Sequence, residues 1–259
     1  MKFKLAKITG LSLCGLLLPA HAATESSGSD MSVGVGAFYS KSPYAQWDGD
    51  DVTPFPYFTF KKGNFYIDGT GIGYTLMSHE KADQGFYLDA VASTQVGIGY
   101  KSEDSMALKG MKDRNDIAVE LGATLGYYNN FGLFELSLLQ DVAGAHEGFI
   151  SHITYSLPLG SEESGFQFLP YVRATYNGEK YNNYYFGVER SEAIVGRSFY
   201  HAKADIDTAL GLSIYYEFND SWSLALNAEY KQLSDEAKDS PIVVKDNITS
   251  GFIGFNYSF

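Results

Sequence analysis

The chain has 259 residues with 20 Tyr, 18 Phe and 27 Gly against 7 Pro, a composition that suits strands better than helices. Mean hydropathy is slightly negative at −0.16. Beyond the amino-terminal leader no segment has ~18 or more consecutive apolar residues, which excludes helical membrane spans but not a transmembrane barrel, whose lumen face stays polar. The formal charge of −12 argues against a nucleic-acid partner.

The amino-terminus reads as an export signal. Lys2, Lys4 and Lys7 form a basic region, Ile8 to Leu18 an apolar core, and Ala20-His21-Ala22 a cleavage site with small residues at both ends. Residues 1–22 are the expected signal peptide, cut between Ala22 and Ala23. Leu13 precedes Cys14 where lipidation requires a small residue, so no lipid anchor is expected. Removing the leader takes away the single Cys and three Lys, so no thiol chemistry remains and the formal charge becomes −15. Ala23 to Ser32 is small and polar and reads as a disordered periplasmic arm.

From Val33 onward the chain alternates with the period of β-strands. Val33 to Ser40 is a first strand. Val52 to Phe60 is a second, where Pro54 and Pro56 require a strand start or an unpaired position. Lys61-Lys62-Gly63-Asn64 is a hairpin turn. The apolar phase then flips, from Phe65 and Ile67 to Ile72, Tyr74 and Leu76, so Asp68-Gly69 is a bulge or a second turn. Further apolar faces follow: Phe86 to Ile98, Ile117 to Tyr127, Phe134 to Leu138, Phe149 to Leu157, Phe168 to Tyr176, Ile206 to Phe218 and Trp222 to Tyr230. Gly251 to Phe259 is the final strand, with Phe252 breaking an otherwise small or polar face. Aromatics such as Phe218, Trp222, Tyr230 and Tyr257 lie near segment ends, as in an interfacial girdle. Eleven strands are clear, and single-chain bacterial barrels have even numbers. The hidden strand is either a split at Asp68-Gly69 or Tyr181 to Val188, reached through the turn at Asn177–Lys180. The expectation is all-β: an antiparallel transmembrane β-barrel over residues 33–259, with twelve strands, or ten as the alternative.

The inward phase carries the candidate lumen acids Asp89, Glu120, Glu135, Asp205, Asp207, Glu217 and Glu229, together with Asp116 and Asp141. Arg173, Lys231 and His152 oppose them. Such a lumen favours cations, unless its charges pair with each other inside a plugged barrel. No G-x-S-x-G or H-E-x-x-H occurs. Asp141, His146 and Glu147 read as a loop, and Ser151 and His152 point to opposite faces. Asp48, Gly49, Asp50 and Asp51 beside Trp47 could hold a divalent cation bridging lipopolysaccharide phosphates, but their spacing fits a solvated loop better. No catalytic residue, cofactor or metal is expected, and lipid and lipopolysaccharide are the expected surroundings.

Two resemblances add to this. The aromatic end, with Tyr257 and Phe259, resembles the signal that the outer-membrane barrel assembly machinery reads, and implies a periplasmic carboxyl-terminus. Five stretches resemble the MipA/OmpV family of outer-membrane proteins: Thr53–Phe58 with Gly63–Tyr66, Leu108–Asp113, Asp141–Gly148, Tyr184–Val188 and Asp239–Val243. That resemblance implies a scaffold joining a lytic murein transglycosylase to a bifunctional penicillin-binding protein. The alternative is a narrow cation-preferring or small-solute pore. A periplasmic terminus puts Ser234 to Thr249 outside. Lys101 to Asn115 lies inside if Tyr181 to Val188 is a strand, and outside otherwise. The arm and the Lys101–Asn115 segment are the two expected partner contacts.

Overall fold

A computed structural model describes residues 30–259 except 50, 70, 82, 96–97 and 162–164. The expected cleavage site at Ala22 and Ala23, and most of the arm, lie outside the described residues. The strands are β1 (Asp30–Ser40), β2 (Val52–Lys62), β3 (Phe65–Asp68), β4 (Gly71–Lys81), β5 (Gln84–Thr94), β6 (Val119–Asn129), β7 (Gly132–Asp141), β8 (Phe149–Ser156), β9 (Leu159–Ser161), β10 (Phe166–Asn177), β11 (Asp205–Glu217), β12 (Trp222–Gln232) and β13 (Asn247–Ser258). β8 and β9 lie on the same side of β10, against Tyr171–Asn177 and Phe166–Phe168 respectively. They are one strand interrupted at Leu157-Pro158, and the wall has twelve strands. Each pairs antiparallel with its neighbour in sequence, and β13 pairs with β1 from Ser250–Ser40 to Ser258–Ser32 to close the barrel.

The split at Asp68-Gly69 supplies the twelfth strand. Gly69 takes a positive φ of 55° in the turn. β3 turns Tyr66 and Asp68 inward, and β4 turns Gly71, Gly73 and Thr75 inward, which is the phase flip seen in the sequence. The other candidate, Tyr181 to Val188, is not a strand. Its first six residues fall in α1 (Glu179–Phe186), whose buried Tyr181, Asn182, Tyr185 and Phe186 follow helical spacing. Two flanking assignments also shift. β5 ends at Thr94 and β6 begins at Val119, so Ile98 and Asp116 leave the wall. β1 begins at Asp30, three residues before the expected start.

The wall is apolar outside and polar inside. Val35, Ile72, Leu121, Ile153, Val172, Leu210 and Ile253 are exposed on the outer face, while Asp89, Thr124, Glu135, Ser137, Arg173 and Glu229 are buried on the inner one. Among the described residues no helix is long and apolar enough to cross a membrane. Most strands have 10–13 residues, enough for a tilted crossing of the hydrocarbon. Rings cluster near one rim: Phe166–Tyr216 at 4.2 Å, Trp222–Tyr257 at 5.1 Å and Tyr257–Phe259 at 5.1 Å between centroids.

The two ends differ. One carries short turns at residues 63–64, 130–131 and 218–221. The other carries long segments at residues 41–51, 95–118, 178–204 and 233–246. In bacterial barrels short turns face the periplasm and long loops the exterior. The long segments fold together into a cap. Tyr44, Leu108, Met111, Tyr185, Phe186, Val188, Leu233 and Ile242 form one buried apolar cluster there. Lys101 to Asn115 belongs to this cap, on the same side as Ser234 to Thr249.

Candidate functional site: the lumen beneath the cap

The inner wall is built from tyrosines laid across glycines. Tyr66 faces Gly73, Tyr87 faces Gly126, and Tyr171 faces Gly211 on the adjacent strand. A Cβ at those glycines would fall 2.1–2.3 Å from the ring, so only Gly allows the ring to lie there. Each hydroxyl then reaches a carboxylate. Tyr66 donates to Asp89 at 2.8 Å, Tyr87 to Glu135 at 2.5 Å and Tyr171 to Glu229 at 2.9 Å. Arg173 pairs with Glu229 at 3.0 Å. Phe252, the odd residue on the final strand's inner face, packs against Tyr57 with centroids 5.7 Å apart and lies over Gly36.

Six of the seven candidate acids divide into three places. Glu120, Glu135 and Glu229 line a cavity of about 110 Å³ under the cap, with Asp68, His152, Arg173 and Lys231. Asp205 and Asp207 support the cap: Asp207 accepts from Asn177 and from the Ser234 amide, both at 2.8 Å, and Asp205 accepts from the Glu236 amide at 3.2 Å. Glu217 is exposed and lines a second cavity of about 350 Å³ at the short-turn mouth. Asp89 is buried and accepts from the Tyr66 hydroxyl. Asp116 leaves the lumen and accepts from Tyr184 in the cap at 3.3 Å. Sequence reasoning missed Asp68, which it read only as a turn residue, and the lumen tyrosines. The recurrence of Gly directly across from an inward Tyr was the available signal.

Asp141, His146 and Glu147 build a turn. The Asp141 carboxylate accepts from the amides of Ala143, Gly144, His146 and Glu147 at 2.8–3.3 Å. His146 is buried, accepts from the Gly148 amide at 2.9 Å, and lies 3.4 Å from Glu120. His152 is bonded to Thr175 on the lumen side at 3.1 Å, while Ser151 takes the other face. In the first loop, Asp51 accepts from the Trp47 indole at 3.0 Å. Asp50 lies outside the described residues. Among the described residues no cluster of three or more potential ligands is arranged to hold a metal.

The cap is held by buried charge. The Arg114 guanidinium donates to the carbonyls of Asn183 and Tyr184 and pairs with Glu192 at 2.7 Å. Burial opposes ionisation of Glu192, but the Lys112 and Glu189 amides and Arg114 outweigh it and hold the carboxyl below its ordinary value. Burial pushes the Tyr44 hydroxyl well above its ordinary value, and it donates to the Tyr185 carbonyl at 3.1 Å. In the Asp239–Val243 motif, Ser240 donates to the Phe186 carbonyl at 2.6 Å and Ile242 is fully buried. The motif therefore locks α1 into the cap.

A closed antiparallel wall, apolar outside and polar within, with short turns at one end and long loops at the other, defines an outer-membrane β-barrel. The chain belongs to the MipA family: the family described as MltA-interacting protein MipA matches residues 33–259. It is similar to the MltA-interacting protein of Escherichia coli K12, with 28% identity over 250 residues, 95% of this chain and 96% of the relative. Outer membrane protein Omp26La of Vibrio anguillarum is 29% identical over 184 residues, 70% of this chain and 68% of the relative. Among solved structures, the Pseudomonas putida toluene transporter TodX aligns with a TM-score of 0.42 and 10% identity, over 96% of this chain and 95% of its own.

Proposed function

We propose that this barrel is a non-enzymatic envelope scaffold that holds a lytic murein transglycosylase, and through it a penicillin-binding protein, against the outer membrane. The observation that carries this reading is the near full-length match to a relative named for its interaction with MltA. The partner is periplasmic, and the cap faces the exterior by the turn-length rule. Lys101 to Asn115 is thereby removed as a contact. The proposed surface is the arm together with the outer part of the β4–β5 hairpin, where Met77, Ser78, His79, Glu80 and Lys81 are all exposed. A stable interface buries ~800 Å² per partner, more than a two-residue turn supplies.

Co-purification from mildly solubilised envelopes tests the reading. Deleting Thr24 to Ser29, or replacing Ser78 to Lys81 with Gly and Ser, should leave an assembled barrel and lower recovery of the transglycosylase at least fivefold in one variant or the other. Undiminished recovery with both rejects the scaffold reading. The pore alternative draws support from the acid excess in the lumen, but the apolar cap over the outer end weighs against an open conduit.

A further inference from the structure

Among the described residues, the barrel wall is incomplete beside β2. β2 pairs with β1 from Val52 to Lys61, but its ladder with β3 runs only from Thr59–Asp68 to Lys62–Phe65. Among the described residues, the stretch 52–58 therefore meets a strand on its β1 side alone. At ~3.3 Å per residue this leaves about 23 Å of strand edge. The last bond across is from the Gly69 amide to the Phe58 carbonyl, at 3.3 Å. Alternate residues of an antiparallel strand point their backbone groups to the same side, so those of Pro56 and Pro54 face the opening with Phe58. Proline carries no N–H. Of the four residues whose backbone groups face the opening, Val52, Pro54, Pro56 and Phe58, the two in the middle thus have no donor to leave unmet.

Open sheet edges are not tolerated in lipid unless they line a cavity, and a cavity flanks this one, touching Phe38 and Ser40 of β1 on one side and Asp68 and Gly71 on the other. The space of about 110 Å³ beneath the cap extends to Gly71 and Ile72, the first residues of β4, and to Ala92 on β5. Ile72 is exposed on the outer face, and Ala92 shares that phase. The same cavity touches the inward carboxylates Asp68, Glu120, Glu135 and Glu229, against Arg173 and Lys231. Arg173 already pairs with Glu229. The cavity thus has an apolar margin toward the bilayer and a net acidic interior.

We propose that this gap is a lateral portal from the outer leaflet into the lumen, and that it takes small amphipathic amines. The alkyl part comes from the lipid phase past Ile72 and Ala92, and the ammonium group ends among the carboxylates. This inference is independent of any murein enzyme.

Octylamine, octanoate and octanol titrated into the full barrel in lipid nanodiscs at pH 7 test it, with empty nanodiscs as reference. Octylamine should bind saturably and at least tenfold more tightly than octanoate. Asp68→Asn combined with Glu135→Gln should weaken octylamine at least fivefold and leave octanol unchanged. Gly71→Trp, which fills the inner margin, should weaken both octylamine and octanol at least tenfold. If that barrel does not assemble, Ile72→Trp at the outer margin should slow octylamine entry at least tenfold. Partitioning no greater than in empty nanodiscs, equal affinity for octanoate, or margin variants that bind and fill like the parent would each overturn the proposal.

Discussion

At the scale of single residues, the lumen rests on a repeated contact in which a tyrosine ring replaces the side chain its glycine neighbour lacks. Gly126→Val forces the Tyr87 ring aside, because a Cβ there would stand 2.1 Å from it. Overpacking costs ~1–3 kcal/mol, and the loss of the 2.5 Å bond to buried Glu135 adds ~1–3 kcal/mol. The variant should unfold from its SDS-resistant form at a clearly lower temperature than the parent, and Tyr87→Phe should show the second part alone. Glu192 gives a pH dependence with a definite sign. Its folded pKa lies below the ordinary value, so it stabilises the cap above ~pH 4.3, the unfolded value, and that contribution disappears as pH falls through the folded pKa. Amide exchange in residues 105–115 and 189–197, corrected for intrinsic rate, should therefore accelerate below pH 4. In Glu192→Gln this acid-dependent step should be absent.

At the scale of elements, alternation made most of the wall legible. The phase of Ile206 to Phe218 and of Trp222 to Tyr230 carried straight into β11 and β12, because a strand buried on one face must repeat every second residue. Two elements were not readable in this way. β3 has four residues, too few to display a period, and only the flip across Asp68-Gly69 betrayed it. α1 is rich in tyrosine and looks like a strand by propensity, yet it is a helix because Tyr181, Tyr185 and Phe186 find a common apolar face in the cap. That outcome is set by packing, which local preference does not encode. The cap was illegible for the same reason: its core is assembled from four separate loops. The β3–β4 turn offers a direct check. Gly69 has φ +55°, where an L side chain costs about 1–2 kcal/mol. Gly69→Val should lower the yield of assembled barrel, while Gly69→Asn should be better tolerated.

At the scale of the whole molecule, the protein has two parts with opposite chemistry. The wall buries polar groups and exposes apolar ones, whereas the cap buries Tyr44, Leu108, Phe186 and Ile242 as a water-soluble domain does. They should therefore come apart separately. In a closed barrel most strands are bonded on both sides, so the folded protein should resist SDS at room temperature and change mobility on boiling. Replacing residues 101–115 with a short Gly/Ser segment removes Leu108 and Met111 from the cap. The variant should keep the heat-dependent shift but gain bilayer conductance over the parent, with potassium preferred to chloride. Equal conductance in both proteins would mean that the cap is not what closes the outer end.

The order of the strands has a kinetic consequence. Every pairing but one joins segments that follow each other along the chain, so most of the wall can form hairpin by hairpin with short loops to close. The exception is β1 with β13, which brings Ser32 to Ser258. This seam cannot form until the two ends of the wall meet, and such non-local pairing is intrinsically slow. Apart from Phe38 opposite Phe252, its inner face pairs small residues, with Gly36 directly opposite Gly254, so few lumen side chains fix its register before the last hydrogen bonds do. In pulse-labelled refolding, amides of the tight β6–β7 hairpin should become protected first and those facing each other across β1 and β13 last. Until then the two seam edges remain open to another strand.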